Sequence, residues 1–221
     1  MRLSQSRPHN GIIQRIAARL SLGLSVLFLA LLAMLHVLEP EFNSGHLISE
    51  YQLGDYGFLM SLAFCLLGTS AALLALPLGP WLHTRGGHVG WWGLLVVAAA
   101  FFIAGMFPPV QTPVLIGYLH GIAGLVVIFG SPITFSLIGR GLAGSEPRFP
   151  SSRLEWATLA AWGGLWLFLA SLVSSSLTGQ MDAPLPWWVS LANRFLIVTY
   201  CIWFIAGARH VAATVGHAEN S

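Results

Sequence analysis

Six apolar runs separated by short polar connectors divide the chain, at roughly 18–38, 57–79, 90–108, 113–139, 155–177 and 187–208. A helix crossing a bilayer needs about 20 mainly apolar residues, and each run meets that length. The pattern predicts an all-α integral membrane protein, a six-transmembrane-helix bundle. No stretch remains for a separate soluble domain: 1–17 is a basic amphipathic segment, 18–208 the membrane domain and 209–221 a tail. Aromatic residues mark the ends of the runs, Trp81, Trp91, Trp92 and Trp156 on one side, Tyr51, Tyr56, Trp187 and Trp188 on the other. Trp and Tyr collect in this way at the two membrane–water interfaces.

Composition strengthens the reading. The 221 residues are 56% hydrophobic and only 8% charged, whereas soluble domains carry about 25% charged residues. All ten basic residues are arginine, which fits a GC-rich bacterial genome and a bacterial cytoplasmic membrane. Arg2, Arg7, Arg15, Arg19, Arg85, Arg140, Arg148, Arg153 and Arg209 fall on one side, in the connectors or at the very edge of a run, and only Arg194 lies well inside one. Positive residues stay in the cytoplasm, so both termini are expected there. The first run continues to Leu38 and LHVLEPEF offers no small-residue cleavage site, so it reads as a retained span. Just before it, Ile12, Ile13, Ile16 and Leu20 stand against Arg15 and Arg19, the pattern of an interfacial helix drawn to anionic headgroups.

Several chemistries are excluded. RGGHVG lacks the lysine of a phosphate-binding loop. Cys65 and Cys201 sit at different depths in apolar runs, and no CxxC occurs, so neither a disulfide framework nor thiol redox chemistry is expected. Four scattered N-terminal arginines do not make a nucleic-acid surface. No internal repeat is evident.

Polar residues gather on the side away from the arginines. Five acids lie there: Glu39, Glu41, Glu50, Asp55 and Asp182. Arg194 lies seven residues after Trp187, hence about 10 Å into its span. It is expected to snorkel or to join a structural pair, with binding of an anionic group as the functional reading. His120 lies seven residues after Pro113, at a matching depth, in GYLHGIAG. It is expected to bond between helices, with Gly117, Gly121 and Gly124 allowing another helix close approach. His36 is expected to be interfacial, and Pro132 to kink its span. Asp55, where span two begins, is expected to cap orphan amides there. Gly54 and Gly57 permit a sharp turn, and Tyr51 and Tyr56 suit the headgroup layer. Glu50 is left as the candidate partner for Arg194 or His120.

ISEYQLGDYGFLM before span two, GMFPP ending span three, GYLHG in span four and ANRFLI in span six resemble the domain of unknown function 998 family. The resemblance runs from about Leu35 to Arg209. It implies a six-span bacterial or archaeal membrane protein and singles out Glu50, Tyr51, Gly54, Tyr56, Gly57, Phe107, Pro108, His120, Gly121 and Arg194. Two departures stand out. Pro109, Val110 and Gln111 follow the FP pair where the family often has an acid, and Asn193 stands where an acid often precedes the span-six arginine. The resemblance implies no established activity.

The sequence therefore favours a non-catalytic, multi-pass membrane protein with an outward-facing polar pocket for a lipid headgroup or small anion. Arg194, His120, Glu50 and Tyr56 are the candidate ligand contacts. A small-molecule transporter is the alternative and a membrane-embedded hydrolase a further one, because the inner halves of the spans are almost wholly apolar and no HExxH-type spacing exists. No cofactor and no metal are expected. Membrane lipids are the expected partners, and no particular oligomeric state is implied.

Overall fold

A computed structural model describes residues 9–110, 112–143, 152–180 and 184–219. Arg2, Arg7, Gln111, Arg148 and Asp182 lie outside the described residues. The chain forms six long helices, α1 (His9–Leu38), α2 (Gly57–Leu78), α3 (Arg85–Met106), α4 (Val114–Ala143), α5 (Ser152–Leu177) and α6 (Trp187–Glu219). All six are long and apolar enough to cross a membrane. Each follows from its apolar run, because a helix satisfies every backbone polar group internally. Residues 9–17, read from sequence as an interfacial helix, are the first turns of α1 and continuous with it.

The helices neighbour one another in the order α4, α3, α2, α1, α6, α5. Packing is extensive along that order, α4 meets α5 more loosely, and the backbones of α4 and α6 stand apart and meet through large side chains. Helix α6 is central, with 67% of its apolar window buried against 28% for α1. Outward faces carry large apolar side chains such as Val37, Phe58, Tyr118 and Leu177, each more than half exposed. Such a surface suits lipid.

Close helix approach relies on small residues at the α2–α3 and α3–α4 seams, as expected where lipid offers no hydrophobic drive. A Cβ on Gly68 would lie 2.9 Å from the Ala98 carbonyl, and one on Gly90 would lie 2.9 Å from the Ile138 amide nitrogen. At mid-bundle Phe135 stacks on Trp203 at 3.9 Å and 8°, and the Trp203 indole donates to Thr158 Oγ1 at 3.0 Å. Helix α4 runs unbroken through Pro132. Proline lacks the N–H that would reach the carbonyl four residues back, and the Tyr200 hydroxyl donates to that carbonyl, Ile128 O. A helix–helix contact thus replaces the lost intrahelical bond.

Candidate functional site

The connector between α1 and α2 folds into a polar cap over one end of the bundle. It contains two 3-10 turns, Pro40–Asn43 and Ile48–Leu53. Between them Gly45 takes φ 83°, where an L side chain is strained, and a Cβ there would lie 2.7 Å from Pro184 Cβ. Its carbonyl accepts the Leu185 amide at 2.9 Å, tying the cap to the segment leading into α6. Asn193 Oδ1 accepts the Ile48 amide at 2.9 Å. Gln52 donates to Ser61 Oγ, Ala104 O and Gly105 O, tying the cap to α2 and α3. The cap is therefore a docked part of the fold.

Arg194 is its anchor. Nε donates to His36 Nε2 at 3.0 Å, and NH1 donates to the carbonyls of His46 and Ser190 at 3.1 and 2.9 Å. NH2 donates to the Phe42 carbonyl and, at 3.3 Å, to the Tyr51 hydroxyl. The guanidinium also lies 5.5 Å from the Tyr51 ring centre. A guanidinium has five N–H groups, and five acceptors meet them. Among the described residues no carboxylate lies within ion-pairing distance of Arg194. The guanidinium does not snorkel to open water: the side chain is 8% exposed and ends on acceptors of the cap and of its own helix. His36, expected at the interface, is half-buried and donates from Nδ1 to Leu32 O at 2.8 Å. A carbonyl cannot donate, so Nε2 of the neutral ring is the acceptor that Arg194 needs.

Three further expectations are corrected. Tyr51 is not a surface aromatic but fully buried, between Phe42 and His36, and donates to Asn43 Oδ1 at 2.6 Å. Burial raises its phenol above the ordinary value, outweighing the lowering by Arg194, so it remains a neutral donor. Glu50 meets neither Arg194 nor His120. It accepts the Leu47 amide at 2.6 Å and lies 3.3 Å from His46 Nδ1, closing the first turn of its own 3-10 segment. Asp55 is exposed, and α2 begins after Tyr56 without a side-chain cap bond. The Tyr56 amide is taken by Glu39 instead, which is 2% exposed. A Cβ on Gly54 would collide with the Glu39 carboxylate, and one on Gly57 with the Gln52 carbonyl, so both glycines are required by close approach. The Tyr56 ring itself is 41% exposed.

Burial raises the Glu39 carboxyl above its ordinary 4.5, against a lowering by the Tyr56 amide, with Glu41 adding to the rise. Folding therefore takes up a proton at this site. That contribution to stability is present in full below about 4.5 and is lost as pH climbs through the elevated value. Glu39→Gln keeps an acceptor for Tyr56 but cannot ionise. Melting curves from pH 4.5 to 8 are expected to show wild type losing ground to the variant as pH rises; parallel profiles would refute the assignment.

Beneath the cap lies a cavity of about 190 Å³ in the seam between α4 and α6. His120, Gly121, Gly124 and Leu125 of α4 line one side, Asn193 and Ile197 of α6 another, and Ile48 and Ser49 the roof. His120 is the expected interhelical bonder: Nδ1 donates to the Phe107 carbonyl at 2.7 Å, which gives the Phe107–Pro108 corner after α3 its role. The glycines are a correction. A Cβ on Gly121 or Gly124 would meet nothing within 4 Å, so they leave space where helix contact was expected. On Gly117 a Cβ would instead collide with the Val110 carbonyl of the preceding connector. Leu125 lines the cavity and is 57% exposed, so the cavity reaches the apolar outer surface.

Of the candidates, the structure unites Arg194 with Tyr51 in the cap and His120 with Gly121 and Gly124 at the cavity. Sequence reasoning did not weigh Glu39, Asn43 or Gln52 as contacts, and it met Asn193 only as a departure from a pattern. For the first three, the only signal was a polar residue in the connector between α1 and α2. Among the described residues no three His, Cys, Asp or Glu side chains gather where they could hold one ion. A family model described as "Protein of unknown function (DUF998)" matches residues 10–210. No curated protein and no solved structure matches the chain.

Proposed function

The chain belongs to DUF998, a family of proteins of unknown function, and on that footing we propose that it is a non-catalytic membrane protein that binds a lipid or lipid-like amphiphile between α4 and α6. The supporting observation is the cavity of about 190 Å³ beneath the cap. An apolar cavity of about 150 Å³ takes a benzene, so this one accepts a comparable apolar group or part of an acyl chain. Gly121 and Gly124 supply the room. His120 supplies direction: with Nδ1 donating to Phe107, Nε2 of the neutral ring is an acceptor. The favoured ligand carries a hydroxyl or amide donor on an apolar body. A small anion fits less well, because the donors of Arg194 already have protein acceptors.

In this reading the cap faces out of a bacterial cytoplasmic membrane and both termini face in, as the arginine distribution supports. A C-terminal fusion that fluoresces only in the cytoplasm tests that orientation. For the ligand, native mass spectrometry of gently solubilised wild type is compared with Gly121→Leu and Gly124→Leu. Filling the cavity is expected to reduce the bound amphiphile about tenfold or more, the effect of roughly 1.4 kcal/mol of lost contact, with the thermal transition unchanged. The same adducts at the same occupancy in all three proteins would overturn the reading.

A further inference from the structure

The opposite end of the molecule carries a second site, unconnected with the cap. A groove of about 680 Å³ runs between the start of α5 and the late turns of α6. Arg153 stands on one wall and Arg209 on the other, both exposed. Ile202, Ala206 and Arg209 share one face of α6, at spacings of four and three residues. The stripe from Ile202 to Arg209 spans about 10 Å of helix, apolar along its length and ending in a guanidinium. Among the described residues no carboxylate lines the groove: Glu155, two residues after Arg153, borders a different cavity between α4 and α5. Neither arginine has an ion pair among the described residues.

We infer that this groove holds an anionic phospholipid, its phosphate between Arg153 and Arg209 and an acyl chain along Ile202, Ile205 and Ala206. Three features select that occupant over a free anion or a neutral lipid. Two guanidinium groups match a phosphate in charge and fork geometry. Ser152 adds a hydroxyl at the same mouth. The apolar stripe continues from the charges toward mid-bundle, which a soluble anion would leave empty. Basic pockets between membrane helices recognise anionic headgroups in this way.

The test is lipid titration of the full-length protein in a neutral detergent, with phosphatidylglycerol against phosphatidylcholine, read by native mass spectrometry and thermal shift. Each surface arginine favours an anionic lipid by about fivefold. Phosphatidylglycerol is therefore expected to bind about 30-fold more tightly than phosphatidylcholine. Arg153→Gln and Arg209→Gln should each remove about fivefold, and the double variant should bind both lipids alike. Arg85→Gln, exposed and away from the groove, should leave the preference intact. Both groove positions are exposed, so the variants are expected to melt as wild type does. A preference that survives the double variant would overturn the site, as would wild type binding the two lipids equally. Equal stabilisation by glycerol phosphate alone would overturn the assignment to a lipid.

Discussion

Replacing Arg194 with leucine is expected to destabilise the protein by about 4 kcal/mol, because it removes several charge-assisted hydrogen bonds and strands their acceptors. The carbonyls of Phe42 and His46 would lose their guanidinium donor, and His36 Nε2 would face an apolar chain. Arg194→Lys is expected to recover little of the loss, since an ammonium offers three donors from one point and cannot span acceptors set around a planar fork. Unfolding in a single detergent measures the energy. Hydrogen exchange over residues 40–56 measures the place, with fast exchange expected in the cap and little change in mid-bundle. A snorkelling arginine would give a different result, a leucine variant as stable as wild type and a cap equally protected. That outcome would remove Arg194 from its anchoring role.

Trp203→Ala is expected to cost about 3 kcal/mol, toward the lower end for a large aromatic core deletion because part of the lost burial is regained from lipid. Trp203 is fully buried, stacks on Phe135 and satisfies its indole through Thr158. It therefore joins α6 to α4 and α5 at once, and with Tyr200 and Phe204, whose rings also meet Phe135, it bridges two helices whose backbones stand apart. Trp203→Phe should recover much of the packing while leaving Thr158 without its indole donor, so its loss should fall between wild type and alanine. Thermal unfolding of the three proteins checks the order. An alanine variant as stable as wild type would show that the aromatic layer does not hold these helices together.

The spans were legible because bilayer thickness imposes one length on every apolar run. The partners of the polar residues were not, for reasons that differ by residue. His36 and Arg194 were both placed near the same end, but their bond requires α1 beside α6, a neighbour relation that run order does not contain. Asp55 has the type and position of a helix cap, yet Glu39 approaches the same turn from the end of α1 and takes the Tyr56 amide. Two carboxylates sixteen residues apart compete for one task, and only the path of the connector decides between them. Gly121 and Gly124 carry the spacing that elsewhere marks a helix contact. Small residues permit close approach without compelling it, and here no helix arrives.

The Arg194 anchor has a consequence for biogenesis. Its acceptors at Phe42 and His46 precede it by 152 and 148 residues, so they emerge from the ribosome long before it. Contacts so distant in sequence close late. Until α6 inserts, the Phe42 and His46 carbonyls and Nε2 of His36 have no permanent partner. A chain truncated before α6 would still hold the cap to α2 and α3 through Gln52, but would leave the acceptors of Arg194 open to water. Completion of the last span is thus the step that supplies the cap with its central donor.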